Sequence, residues 1–357
     1  MTTRLPTLLR TTLRHPLMTW IGSRWRPAYR VIIVAIATAA LTMIHINMPN
    51  KAPDFTVFWA AATHAFGPVY DSSFLTPLQH GPPGERPFAY PPTFLLLILP
   101  MALMPFKTAY VAWVSLSVTA FVETGMRLTK LSWLALISPT LMFAAFIGQT
   151  TLLMGALAIF ALTSLDRPRI AGIALGMAAC IKPQLILLVP IALLICRQWR
   201  VLLWMAGTGT MLSLATTAVF SPAIWLSWIK SLHAFVAIND GLKIHRLGLD
   251  WPWSAISAPA VILLVWWTIY SGDRLRMILA TLGGGLLLSP HAVFYESVII
   301  LPSAIGMLGL TWRSIPALYI VFGGATAPLS LAATLIALIY PRSIASFPPD
   351  QRLYSPR

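Results

Sequence analysis

The sequence predicts an all-α integral membrane protein, a polytopic helical bundle with about nine to twelve membrane segments. Three observations lead there. Apolar residues make up 57% of the 357-residue chain and charged residues only 10%, against roughly 25% charged in an average soluble domain. Mean hydropathy is +0.77. Apolar runs recur along the whole length, many close to the roughly 20 residues that a helix needs to cross a ~30 Å hydrocarbon core. A soluble chain of this size would need far more polar surface to cover its cores.

The formal net charge of +15 does not point to nucleic acid, because Lys and Arg form neither a groove nor a stripe. They sit in the N-terminal tail and in short clusters between apolar runs, the pattern of loops held on the cytoplasmic face beside anionic headgroups. Arg4, Arg10, Arg14, Arg24, Arg26 and Arg30 precede the first apolar run, Val31 to Met48. Ala37-Thr38-Ala39 resembles a cleavage site but falls in the middle of that run, so an uncleaved signal anchor is expected, with a cytoplasmic N-terminus. Residues 1–30 then form a basic tail and 31–340 the membrane domain of a cell (inner) membrane protein. Residues 341–357 form a polar, flexible tail. Cys180 and Cys196 lie in apolar segments without metal-ligand spacing and read as small hydrophobes.

Residues 49–92 are the longest non-spanning stretch and are expected outside. They hold Asp54, Asp71 and Glu85, three of the ten acidic residues. Phe55, Phe58, Ala62 and Phe66 recur at near-helical spacing, which with Trp59 suggests a helix over 54–66 lying in the interface plane. Gly67-Pro68 ends it, and Pro82, Pro83, Pro87, Pro91 and Pro92 make the exit rigid. Membrane segments are expected over 93–106, 108–126, 131–147, 149–165, 170–196, 201–220, 253–270, 275–290, 294–311 and 314–340. Lys182-Pro183 divides 170–196 into two half-helices, and Pro139 interrupts 131–147. The Asp166–Arg169 and Arg197–Arg200 clusters both look cytoplasmic, which requires one segment, 93–106 being the shortest, to be partial or re-entrant. Residues 221–252, rich in Trp and His, read as a second loop region.

Four constellations could carry chemistry. Asp54, in Pro53-Asp54-Phe55, is either a helix N-cap or a carboxylate held at the membrane surface beside a cavity. Asp71, in Gly67-Pro68-Val69-Tyr70-Asp71, suits a turn and a cap for the next segment. Arg86 precedes Phe88-Ala89-Tyr90-Pro91-Pro92, a rigid interfacial stretch in which Tyr90 also suits an aromatic belt. Lys182 differs in kind. An ammonium in an apolar run costs about 2.5–3.5 kcal/mol on insertion scales, so it marks a functional site unless it snorkels from a half-helix end. Gly148-Gln149, and Ser289-Pro290-His291 with Tyr295-Glu296, are further polar interruptions.

In this order and spacing, these residues resemble glycosyltransferase family 87, membrane enzymes of the C-type glycosyltransferase fold. The motifs are Asp-Phe on an outer-loop helix, Gly-x-x-Tyr-Asp, Tyr-Pro-Pro followed by an apolar run ending Leu-Met-Pro-Phe, and Gly148-Gln149. Ala171-Gly172-Ile173-Ala174-Leu175-Gly176 then leads to Lys182-Pro183, and Ser289-Pro290-His291 with Tyr295-Glu296 closes the series. The resemblance spans about residues 50 to 302. It implies a polyprenyl-phosphate-linked hexose donor, mannose-like, and inverting transfer to a glycolipid or glycan acceptor on the extracytoplasmic face. Asp54 would be the base. Where the family usually has Tyr-Asp, this chain has Tyr295-Glu296.

The chemistry is consistent with so few ionisable groups. A sugar on a lipid phosphate already carries a good leaving group, so one carboxylate to deprotonate the acceptor suffices, where a glycosidase normally needs two. Asp71 is the alternative base. Lys182, Arg86 and His291 are the groups available to stabilise the departing phosphate, and Tyr70, Tyr90, Gln149, Tyr295 and Glu296 are expected to line the substrate pocket. No metal and no cofactor is expected. A lipid-linked-sugar flippase or secondary transporter is the alternative, since broken helices around a buried charge suit it too. Acidic residues concentrated in the first outer loop favour the enzyme.

Overall fold

The computed structural model describes residues 31–44, 52–79, 86–129, 138–241, 247–289, 291–308 and 335. The basic tail, residues 131–137 of the segment expected over 131–147, residues 309–311 of that over 294–311, all of that over 314–340 except residue 335, and the C-terminal tail lie outside the described residues. Within them the protein is helical, with no β-strand. Helix α1, Val31–Ile44, exposes Ile32, Ile33, Ile36, Leu41 and Ile44, a surface that suits lipid and not water.

Helix α2, Pro53–Thr63, is followed by the single turn α3, Ser72–Leu75. Proline at its first position starts α2, where the missing N–H costs nothing. It ends just short of Gly67-Pro68, as that breaker requires. Helix α4, Pro92–Ile98, continues as a 3-10 run to Leu103. Those 12 residues reach only about 18 Å at a helical rise, short of the ~30 Å hydrocarbon core.

Helices α5 (Phe106–Gly125), α6 (Pro139–Ile147), α7 (Thr151–Leu162) and α8 (Pro168–Ile181) form the centre. A 3-10 turn over Pro183–Ile186 separates α8 from α9, Val189–Ile195, so Lys182-Pro183 does split its run. Helices α10 (Trp199–Phe220), α11 (Ala223–Gly241), α12 (Trp253–Tyr270) and α13 (Arg274–Leu288) follow. A 3-10 run over Phe294–Ile300 then leads into α14, Leu301–Leu308. The stretch 221–252, read above as loop, contains the 19-residue helix α11. Its Lys230 and His233 break the apolar run, which hid a helix that does not need to be apolar all round.

Among the described residues, α10 and α12 are long and apolar enough to cross a bilayer. The pair α6–α7 makes a third candidate if counted as one broken span, because the two meet at a bend of 119°. The protein is a helical membrane protein. The shorter apolar stretches, Val31–Ile44, Pro92–Leu103, Pro168–Ile181, Pro183–Ile195 and Phe294–Met307, fall below the length of one crossing.

Two contacts set the geometry of the central helices. Arg127, past the end of α5, reaches Ser164 beyond the end of α7 at 3.4 Å. At the opposite end, Lys182 at the end of α8 meets Gln149 at the start of α7 at 3.3 Å, so α7 and α8 run antiparallel. The position of Lys182 is fixed through α8 by its packing on α10. A Cβ on Gly172 would lie 2.4 Å from Trp204 Cβ, and one on Gly176 would lie 2.6 Å from Thr208 Cβ. The four-residue spacing of these glycines lets two backbones approach closely, the usual device of helix pairs in lipid.

Replacing Gly176 with Leu should therefore destabilise the fold by about 1–3 kcal/mol or more. Thermal unfolding in detergent micelles should show it, while Gly209→Leu, with open space at its Cβ position, should leave the transition nearly unmoved.

Candidate active site

The site forms where α2, the segment before α4, the α6–α7 bend, the end of α8 and the 3-10 run after α13 converge. Its framework begins at Gly148, the C-terminal residue of the bend, with φ 76° and ψ 32°. That left-handed conformation is easy only for glycine. A Cβ there would also lie 2.5 Å from Phe55 Cβ. The last carbonyls of α6 lack helical partners and are claimed from α5: Tyr110 Oη donates to Phe146 O at 2.7 Å, and Trp113 Nε1 to Gly148 O at 2.9 Å. The bend is thereby held, and Gln149 projects from it.

Gln149 is the hub. Its amide nitrogen donates to Asp54 Oδ2 at 2.5 Å and to Tyr295 Oη at 3.1 Å. Its carbonyl oxygen accepts from Tyr90 Oη at 2.9 Å, from Thr150 N at 3.0 Å and from Lys182 Nζ at 3.3 Å. Chemistry dictates this orientation of the amide, because an ammonium only donates and an ionised carboxylate only accepts. Tyr90 Oη also meets Thr150 Oγ1 at 3.2 Å.

Lys182 has a second, closer partner. Its Nζ donates to Glu296 Oε1 at 2.6 Å, while Glu296 Oε2 accepts from Val293 N at 3.0 Å. The ammonium also sits 5.3 Å from the centre of the Tyr90 ring. Neither Lys182 nor Glu296 is more than 8% exposed. Thr93 Oγ1 donates to Cys180 O at 2.8 Å, satisfying one carbonyl at the end of α8 where Pro183 supplies no N–H.

Tyr90 is anchored through its backbone: Tyr70 Oη donates to Tyr90 O at 2.9 Å, and Trp228 Nε1 of α11 donates to Ala89 O at 3.1 Å. Gln149, Thr150, Lys182 and Glu296 are buried, whereas Asp54, Tyr90 and Tyr295 each keep part of their surface accessible. The arrangement is a buried polar floor beneath an accessible rim.

Asp54 is the second residue of α2, whose N-cap position is Ala52; its carboxylate is engaged with Gln149 rather than capping the helix. Burial raises its pKa above the usual carboxylate value, an effect opposed by the charge of Lys182, the Gln149 hydrogen bond and the charge of Arg86. Removal from water evidently outweighs these attractions. Arg86 lies near enough to feel Asp54 electrostatically, and desolvation lowers its own pKa. One of its terminal guanidinium nitrogens is buried without a hydrogen-bond partner among the described residues.

Five of the candidate residues therefore join Asp54 in one network: Gln149, Tyr90, Lys182, Tyr295 and Glu296. Arg86 adjoins it and Tyr70 supports it. Asp71 stands apart as an exposed N-cap of α3 that accepts from Ser73 N at 2.9 Å and Ser73 Oγ at 2.7 Å, which lower its pKa. His291 is exposed, its ring 6.1 Å from that of Phe235 on α11. Thr150, Tyr110 and Trp113 escaped the sequence reading. Thr150 lay beside a flagged residue, but nothing local marked the two α5 aromatics, whose partners are more than 30 residues away.

The family model of glycosyltransferase family 87 matches residues 88–292, more than half of the chain. The chain belongs to glycosyltransferase family 87. It is thus a membrane glycosyltransferase, and the transferase reading prevails over the transporter. The matched span contains Tyr90, Gln149, Lys182 and His291; Asp54, Tyr70, Asp71 and Arg86 precede it, and Tyr295 and Glu296 follow it. No curated protein and no solved structure matches the chain.

The pairing of Lys182 with Glu296 has a measurable consequence. Lys182→Met strands a buried carboxylate and should cost about 3–5 kcal/mol of stability. The double variant Lys182→Met/Glu296→Gln should recover most of that loss in the same unfolding assay.

Proposed function

We propose that this glycosyltransferase moves a hexose, mannose-like, from a polyprenyl-phosphate donor to a glycolipid or glycan acceptor with inversion. Asp54 serves as the general base and the site opens to the extracytoplasmic side. The observation that carries this reading is the Asp54 carboxylate itself. It is partly accessible, pressed toward higher pKa by desolvation, and held in place by an amide that contributes no acid or base. A base tuned upward from the ordinary carboxylate range removes an alcohol proton more effectively as that proton becomes acidic in the transition state.

In the proposed reaction, the acceptor hydroxyl attacks the anomeric carbon from the face opposite the phosphate. Its proton passes to Asp54, and the electron pair of the breaking C–O bond leaves on the lipid phosphate. In this reading two groups stabilise that charge. Arg86 brings a guanidinium with an unsatisfied buried nitrogen, and guanidinium matches phosphate geometry. Lys182 brings an ammonium already held by Glu296, so its contribution to a phosphate is reduced by the carboxylate beside it. The basic residues ahead of the apolar run 31–48 support a cytoplasmic N-terminus, and a crossing by that whole run, of which α1 is the described part, would bring Asp54 out on the opposite side. The isoprenoid tail of such a donor accounts for a catalyst built into lipid.

Asp54→Asn keeps the size and most hydrogen bonding of the side chain while deleting the base. It should lower kcat by about 10²–10⁴-fold in an assay with synthetic polyprenyl-phosphate mannose, glucose and galactose donors and extracted membrane glycolipid as acceptor. Asp71→Asn should remain near wild type. Because Asp54 acts ionised, wild-type kcat should rise with pH through the raised Asp54 pKa, with an acid limb above the ordinary aspartate value of about 3.9. An active Asp54→Asn beside a dead Asp71→Asn would move the base to Asp71.

A further inference from the structure

We propose that Gln149 is a positioning residue that both aims the Asp54 carboxylate and keeps the Lys182 ammonium from pairing with it. The inference rests on the reading of Asp54 as the base. The amide stands between the two charges, nitrogen toward Asp54 Oδ2 at 2.5 Å and oxygen toward Lys182 Nζ at 3.3 Å. Its second N–H is fixed on Tyr295 Oη, and its oxygen also takes Tyr90 Oη and Thr150 N. Both ends are therefore tied, and rotating the amide would set a donor against an ammonium and an acceptor against a carboxylate.

The reason for a separator is electrostatic. In a desolvated site an ammonium and a carboxylate attract strongly, and direct contact with Lys182 would favour the ionised form of Asp54 and weaken it as a base. Lys182 is instead drawn to Glu296, on the far side from Asp54 in the hydrogen-bond network. The neutral amide lets one buried cation and two carboxylates share the site without the cation claiming the catalytic one. Other groups bearing on Asp54 are few. Arg86 acts from the segment before α4, the negative charge of Glu296 opposes ionisation of Asp54, and the phenols of Tyr90 and Tyr295 adjoin Gln149. Lys107 on α5 is exposed, Asp71 caps α3 at the surface, and α6 carries no ionisable residue.

Two substitutions separate the functions of the amide. Gln149→Leu retains much of the bulk between the charges but loses the hydrogen bond that favours ionised Asp54. Gln149→Ala removes the bulk as well and lets Lys182 approach Asp54. Kinetics on the full-length protein in lipid–detergent micelles, with the synthetic donor that turns over fastest, should show kcat down by about 10²-fold for both. The KM for that donor should stay close to wild type, because the lost interaction positions the base and does not bind the donor. The acid limb should move up in pH for Gln149→Leu and down for Gln149→Ala.

Limbs that move together, or do not move, overturn the separator. If Gln149→Ala does not fold, judged by thermal unfolding, Gln149→Leu decides alone, and a limb that stays or falls refutes the proposal. Full activity in Gln149→Leu while Asp54→Asn is dead refutes the role of Gln149 and leaves the base intact. Full activity in Asp54→Asn instead removes the base on which the proposal rests.

Discussion

The structure is organised around one amide suspended between unlike charges, and most of its irregular features follow from holding that amide still. Gln149 must leave a helical bend sharply enough to stand clear of both α6 and α7, which brings in Gly148 with its left-handed backbone. A buried bend exposes carbonyls that must be satisfied, which brings in Tyr110 and Trp113 from α5. The cation on the oxygen side must arrive from another element, and it does so because α8 stops at Lys182-Pro183. That stop is placed in turn by Gly172 and Gly176, which seat α8 against α10.

A buried ion pair is not obviously a stabilising choice. At an effective dielectric constant near 20, two unit charges 2.6 Å apart attract by about 6 kcal/mol. Withdrawing each ion from water costs several kcal/mol, so the two terms come close to cancelling. The Lys182–Glu296 pair therefore gives little reason for its presence in terms of stability. In the proposed mechanism it keeps a cation within the donor's reach while sparing Asp54. In that mechanism the partial accessibility of Asp54, Tyr90 and Tyr295, beside the buried Lys182 and Glu296, would let an acceptor hydroxyl reach the base without opening the charge pair to water.

Much of this was legible in the sequence, for definable reasons. The cost of an ammonium in an apolar run singled out Lys182, and Pro183 beside it implied the break that the structure contains. Composition alone indicated a helical membrane protein. The spacing of Phe55, Phe58 and Ala62 located α2 to within a few residues of its observed end. Other features were beyond reach. Whether Asp54 capped its helix or faced a cavity depended on Gln149, 95 residues away, and no local pattern encodes a contact of that range. Glu296 was flagged for its place in a motif, but its role as the partner of Lys182 is visible only once two broken helices are brought together. Whether α2 lies in the interface, and how many crossings the chain makes, depend on the bilayer as much as on the chain. The short helices α4, α8 and α9 show how far an apolar run can fall below spanning length.

The proposed mechanism depends on the protonation state of one carboxylate, which infrared difference spectroscopy can follow directly. Spectra recorded during a pH titration of the protein in nanodiscs, with isotope-labelled aspartate, should contain a carboxylic-acid C=O band that is missing from Asp54→Asn. That band should vanish on deprotonation with a midpoint above the ordinary aspartate value of about 3.9. An Asp54 that ionises at or below that value would contradict the central claim, because it would be an anion paired with its neighbours and not a base held in reserve.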